Sequence, residues 1–176
     1  MTGTREIRTE RLVLRPHVME DAPALHRLFG VDESMFAYTG WNPFVTVEAA
    51  EEMLADVIKG YEEDDHAYGW AITMDGGIVG IIDAYDYDEH LRTAELGISI
   101  AKDHWGEGLG TEALTALLEY LKGEEDLDAV FAWCAADNIG SKTIMEKSGM
   151  TLARVDKDAI EVGDRTFDRL YYSYNF

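Results

Sequence analysis

Residues 105 to 111 run Trp105-Gly106-Glu107-Gly108-Leu109-Gly110-Thr111, and these residue types at this spacing suit the holding of a diphosphate. A diphosphate needs several N–H donors converging on one point. The first turn of a helix supplies unpaired amides at the positive end of a dipole. Glycines at 106, 108 and 110 let the backbone approach a phosphate with no Cβ in the way, and Thr111 adds a hydroxyl. No Lys-Ser or Lys-Thr pair follows, so the nucleotide P-loop pattern is absent. A dinucleotide-binding turn would follow the first strand rather than lie two thirds of the way along the chain. Taken alone, a glycine cluster is equally consistent with a structural tight turn.

The other reactive side chains are sparse. A single cysteine, Cys134, lies in the apolar run Val130-Phe131-Ala132-Trp133-Cys134, which excludes an internal disulfide and a cysteine metal cluster and favours a small buried hydrophobe over a nucleophile. His17, His26, His66, His90 and His104 are scattered without ligand spacing, so no metal site is expected. The net charge of −20 repels polyanions and argues against nucleic acid as a partner. That acidity either keeps the protein soluble or draws in a cationic substrate. It does not forbid a phosphate site, because charges beyond roughly 10 Å are largely screened at physiological salt. No apolar run approaches the ~20 residues needed to cross a bilayer, and the N-terminus lacks the apolar stretch of a secretion signal. A cytoplasmic protein with no membrane partner is the expectation.

The elements that must position the turn follow from hydrophobic period and punctuation. The 176 residues suit one domain. A first strand is predicted over Ile7–Arg15. Asp21 is expected to cap a helix over Ala22–Phe29, and Thr46 a second helix to about Lys59, with Glu48, Glu51 and Glu52 in its first turns. Glu62-Glu63-Asp64-Asp65 reads as a solvated turn. Strands are predicted over His66–Met74, Ile78–Tyr87 and Thr93–Ala101, the first two joined by the hairpin signal Asp75-Gly76-Gly77. A helix from about Gly108 to Lys122 follows, with Leu109, Ala113, Leu114, Leu117, Leu118 and Leu121 at helical spacing. Ala129–Ala135 reads as a buried strand and Asn138–Ser148 as a short helix stopped by Gly149. Strands over about Met150–Ala159 and Thr166–Phe176 end the chain. This order predicts an α/β protein with a mixed sheet and helices on both faces.

With those elements in place, four segments resemble the GNAT acetyltransferases, and within them the branch of ribosomal-protein N-terminal and spermidine acetyltransferases. Thr9-Glu10-Arg11-Leu12-Val13-Leu14-Arg15-Pro16 is similar to that branch's opening strand. Glu95-Leu96-Gly97-Ile98 followed by Trp105 to Ala113 is similar to its central strand and acetyl-CoA turn. Asn138-Ile139-Gly140-Ser141 resembles its Asn-x-x-Ser element, and Glu146-Lys147-Ser148-Gly149-Met150 its Glu-Lys-x-Gly-Phe helix end. The resemblance spans nearly the whole chain. It implies a single domain over residues 1–176 with a seven-stranded, mixed, mostly antiparallel sheet splayed at the central strand. It further implies acetyl-CoA as cosubstrate, an amine acceptor, and a homodimer.

The family resemblance also implies roles for single residues. The backbone of Ile98 and Ile100 would pair with the pantetheine arm, and the amides of Trp105, Gly106, Glu107, Gly108, Leu109, Gly110 and Thr111 would hold the diphosphate. Asn138 would contact the cofactor arm and Ser141 would lie near the thioester sulfur. Acetyl transfer to an amine needs a proton acceptor, an oxyanion donor and an acid for the thiolate. Glu95 is the candidate base, a structural or substrate-binding carboxylate being the alternative. The N–H of Ile98 is the candidate oxyanion donor. Ser141 is the candidate acid, with helix capping as its alternative, because the tyrosine many relatives carry four residues further on is here Met145. Phe36, Tyr38 and Trp41, with Asp83, Asp86 and Asp88, are candidates for the acceptor side. Plain core and a solvated edge are the competing readings of those aromatics and aspartates. A non-catalytic acetyl-CoA sensor is the rival to an enzyme.

Overall fold

The computed structural model of the protein describes residues 3–63, 68–123 and 127–176. In chain order the elements are β1 (Ile7–Arg8), β2 (Val13–Pro16), α1 (Ala22–Leu25), α2 (Val47–Glu63), β3 (Tyr68–Met74) and β4 (Gly77–Asp88). Then come β5 (Thr93–Ile100), α3 (Leu109–Lys122), β6 (Ala129–Ala135), α4 (Ile139–Lys147), β7 (Thr151–Val162) and β8 (Arg165–Asn175). The strands form one sheet in the order β1-β2-β3-β4-β5-β6-β8-β7. Every described pairing is antiparallel except β5 with β6. This is the expected mixed sheet with helices on both faces.

The sheet has eight strands where seven were expected. The predicted strand Ile7–Arg15 is broken by Thr9. Its amide donates to Leu12 O, and its hydroxyl oxygen accepts from Leu12 N, both at 2.9 Å. Residues 9–12 therefore turn the chain, and β1 folds back on β2 with Ile7 opposite Leu14.

Three other expectations shift. Asp21 does not cap a helix with its side chain; its carboxylate instead accepts from Val18 N at 3.0 Å and pairs with Arg15 at 2.7 Å. The predicted helix Ala22–Phe29 is α-helical only to Leu25 and continues as a wider π-type turn over His26–Gly30. The second helix runs past Lys59 to Glu63, so Glu62 and Glu63 are helical, while Asp64, Asp65 and His66 lie outside the described residues. Thr46 does cap α2, its hydroxyl oxygen accepting from Ala49 N at 3.0 Å. The hairpin between β3 and β4 turns on Asp75 and Gly76, with φ of 52° and 82°, the left-handed pair that a two-residue turn requires.

Two apolar layers cover the sheet. On one face, Leu109, Ala113, Leu114, Leu117, Leu118 and Leu121 of α3 pack on Leu14, Trp70, Ile72, Ile82, Ala94, Leu96, Val130, Ala132 and Cys134. On the other, Leu25, Ala50 and Leu54 pack with Ile78, Ile81 and Ala101. Alternation along β5 thus sends Ala94, Leu96 and Ile100 to the α3 face and Thr93, Glu95, Gly97 and Ser99 to the other.

The feature that creates a site is the limited contact of β5 with β6. Only Thr93, Ala94 and Glu95 pair with β6, opposite Ala129, Val130 and Phe131. Beyond Glu95 the two strands part, and the sheet opens there as a wedge whose sides are Leu96–Ile100 and Ala132–Ala135. Among the described residues no helix is long and apolar enough to cross a membrane.

Candidate active site

The glycine turn sits at the mouth of this wedge. Gly106 and Gly108 have φ of 80° and 79°, conformations a side chain disfavours. Gly108 is the residue before the first turn of α3, so the amides of Leu109, Gly110 and Thr111 have no partner within that helix. Gly110 serves a different purpose from the one the glycine spacing suggested. It is helical and buried, and an added Cβ would collide with the end of the Ile144 side chain, so its bareness lets α4 lie against α3. Trp105 is half exposed, and its indole N–H donates to Ile100 O at 2.7 Å. That bond occupies the Ile100 carbonyl expected to face the pantetheine arm and fastens the turn to the end of β5. Glu107 points its side chain toward His104, 3.3 Å away.

The turn is held from outside by the opening segment. Arg11 Nη1 donates to the carbonyl of Glu107 at 2.9 Å, and Arg11 Nε pairs with Glu112 Oε2 at 2.7 Å. Glu112 Oε1 accepts from Thr9 Oγ1 at 2.5 Å and from Arg11 N at 2.9 Å. Partial burial works to raise the Glu112 pKa, but these hydrogen bonds outweigh it and hold the carboxyl below its usual range.

Across the wedge, α4 begins at Asn138, whose side-chain oxygen accepts from Ser141 N at 3.2 Å. Asn138 is therefore a helix cap, with its side-chain amide nitrogen as the remaining donor. Ser141 is partly buried in the first turn of α4. Met145 is 3% exposed and part of the α3-side core, so this position offers no proton. Burial pushes the Cys134 thiol up to about 11, consistent with a packed hydrophobe rather than a thiolate.

On the sheet face away from α3, Glu95 is half-buried opposite Tyr85, and the Tyr85 hydroxyl donates to Glu95 Oε1 at 2.8 Å. Burial and this carboxylate raise the tyrosine's pKa above its ordinary range. A bulge follows at Asp86, with φ of 50°, which breaks the β4–β5 register between Tyr85 and Asp88. Asp83 lies opposite Gly97, where any Cβ would run into its carboxylate. Asp83 as a whole is exposed at the rim of a cleft, although neighbouring protein atoms crowd its carboxyl. This desolvation pushes its pKa up to about 7, against hydrogen bonds from the amides of Gly97 and Asp83.

Two clefts flank the Tyr85–Glu95 pair and share Asp86. One, of about 450 Å³, lies under α2 and is lined by His17, Asp56, Tyr61, Tyr68, Asp83 and Tyr87 among others. Burial pushes Tyr61 up to about 12 within it. The other, of about 370 Å³, is lined by Asp88, Thr93, Glu95, Phe131, Arg154 and Tyr171 among others.

Phe36, Tyr38 and Trp41 line neither cleft. Their segment spans the open end of the wedge instead. Asp32 pairs with Lys102 just past β5 at 2.7 Å. Tyr38 stacks edge-on to Phe167 at 5.3 Å, packed with Ala135 and Ile160, while Trp41 is 70% exposed. Tyr38 is thus part of a small core and Trp41 is free to meet a ligand. Tyr85 and the acidic lining from Asp56 carried no signal in the sequence that marked them for the site. The partner of Glu95 depends on the β4–β5 register, and only the short link over residues 89–92 hinted at that register.

A family model described as an acetyltransferase (GNAT) domain matches residues 11–151. The uncharacterized N-acetyltransferase YnaD of Bacillus subtilis (strain 168) is 28% identical over 168 residues, covering 95% of each chain. A crystal structure of a GNAT-family acetyltransferase from Bacillus anthracis superposes with a TM-score of 0.81 at 25% identity, covering 97% of this chain and 98% of that one. RimL, a ribosomal L7/L12 α-N-protein acetyltransferase in complex with coenzyme A, shares the fold with a TM-score of 0.87 at 20% identity, over 98% of each chain.

Proposed function

The chain belongs to the GNAT acetyltransferase family, and from that premise we propose that it transfers the acetyl group of acetyl-CoA to a primary amine by direct attack on the thioester. The observation that carries this reading is the parting of β5 from β6 beside a helix N-terminus entered through two left-handed glycines. In this reading the amides of Trp105 to Thr111 hold the diphosphate. The pantetheine arm runs along Ile98 toward Asn138, and the thioester carbonyl points at the N–H of Ile98. Ser141 stands by the departing sulfur.

The amine arrives from the face that carries Asp83, Tyr85 and Glu95. Glu95, oriented by the Tyr85 hydroxyl, takes the proton that the ammonium must lose before it attacks. The carboxylates of Asp56 and Asp86, joined by Asp83 as it ionises near neutral pH, favour a cationic acceptor, a protein N-terminus or a small amine. RimL's acceptor, an α-amino group of a ribosomal protein, supports the first of these.

The test is thiol release from acetyl-CoA across a panel of N-terminal peptides and small amines, for the wild type and Glu95→Gln. The variant should bind acetyl-CoA normally while turnover falls by about 10²–10⁴. Undiminished turnover in Glu95→Gln refutes the assignment of the base, and no acceleration by any amine refutes the acceptor class.

A further inference from the structure

We propose that Arg11 and Glu112 form a clamp that aims the diphosphate-binding turn and neutralises a carboxylate beside it. The proposal rests on the reading that this turn holds the diphosphate of coenzyme A.

The first half is a matter of peptide geometry. In a trans peptide the C=O and N–H point in opposite directions. Arg11 Nη1 holds the carbonyl of Glu107 at 2.9 Å on the outer side of the turn, so the amide of Gly108 is aimed at the inner side. Gly108 is left-handed and carries no side chain, so nothing local fixes that peptide plane. The guanidinium does so from 96 residues away in sequence, and it lies close against the turn. A Cβ built on Gly108 would come 3.6 Å from Arg11 Nη2.

The second half is electrostatic. Glu112 stands in the first turn of α3, where the helix dipole attracts negative charge. A diphosphate held by the same amides would meet that carboxylate as a like charge. The carboxylate is turned outward and saturated by three donors: Thr9 Oγ1 at 2.5 Å, Arg11 N at 2.9 Å and Arg11 Nε at 2.7 Å. One guanidinium thus aims a donor and cancels a competitor. Arg11 is a positioning residue and touches no reacting atom. The opening segment Thr9-Glu10-Arg11, remote from the turn in sequence, thereby acquires a role in cofactor affinity.

The experiment measures binding of coenzyme A and of pantetheine, which lacks the diphosphate, by calorimetry. Wild type must prefer coenzyme A; equal affinities refute the diphosphate reading itself, independently of the clamp. Given that preference, Arg11→Met should weaken coenzyme A by about tenfold or more, the loss of a charge-assisted hydrogen bond, and leave pantetheine unchanged. Arg11→Met with Glu112→Gln should recover about threefold or more relative to Arg11→Met, because the freed carboxylate is gone. Should Arg11→Met fail to fold, Arg11→Lys carries the same comparison, since an ammonium cannot span the carbonyl and the carboxylate together. Unchanged coenzyme A affinity, equal loss on pantetheine, or no recovery in the double variant each overturn the clamp.

Discussion

Asp83→Asn removes one titration with almost no change of shape, and its consequence can be worked out as a function of pH. In the folded protein desolvation moves this carboxyl from 3.8 to about 7, with amide hydrogen bonds from Gly97 and Asp83 opposing the shift only in part. The unfolded chain releases the proton near pH 4, the folded chain near pH 7. Between those values the folded state binds more protons than the unfolded one, so stability falls as pH rises through the window. Below it both states are protonated and nothing is lost; above it both are ionised and the loss is complete. Each pH unit between the two values is worth about 1.4 kcal/mol, or about 4 kcal/mol in full. Water reaches the carboxyl through the cleft mouth, and screening reduces the figure to about 1–2 kcal/mol. A domain of this size shifts its Tm by about 2–4 °C for each kcal/mol. Thermal melts of wild type and variant should therefore nearly coincide at about pH 4 and differ by about 2–8 °C at about pH 8.5, with the variant higher. A difference that stays constant across this range, or a variant that melts lower at the alkaline end, refutes the reasoning.

Gly108→Ala forces a side chain into a left-handed residue and should cost about 1–2 kcal/mol, read from the urea midpoint, with weaker coenzyme A binding as the peptide rotates. Because an added Cβ at Gly108 would meet only Arg11 Nη2, at an ordinary contact distance of 3.6 Å, an effect much larger than this would mean that backbone strain is not the cause. Leu117→Ala empties a fully buried position of α3 and should cost about 2–5 kcal/mol in denaturant unfolding; a smaller loss would show that the α3 layer collapses around the gap.

The parts legible in the sequence were those governed by local rules. The glycine spacing before Leu109 marked the turn, Asp75-Gly76 marked the hairpin, and the leucine period of α3 marked its buried face. The break at Thr9 was illegible because a threonine within an apolar alternation also suits a strand. Only its hydrogen bonds to Leu12 reveal the turn. Asp21 had the residue type and position of a helix cap, but Arg15 and Val18 claimed its oxygens. The candidate site divides the same way. Glu95 and the turn could be named from motif spacing. Tyr85, Arg11 and Glu112 acquire meaning only through pairings 10 to 103 residues apart. Gly110 carried the right residue for an unexpected reason, the close approach of Ile144.

The narrow junction between β5 and β6 also divides the molecule in the order of its assembly. Strands β1 to β5 are each paired with the next in sequence, so that part can build itself by successive local closures. Of the remaining strands, β7 and β8 close on each other as a local hairpin, but β8 lies between β6 and β7 and must reach back past β7 and α4 to pair with β6. Three residue pairs form the parallel seam, and the α3 leucines bridge the two portions beneath it. Such long-range parallel pairing is slow to form. The proposed pocket is therefore complete only when both portions of the sheet are in place, and it opens along the short seam that joins them.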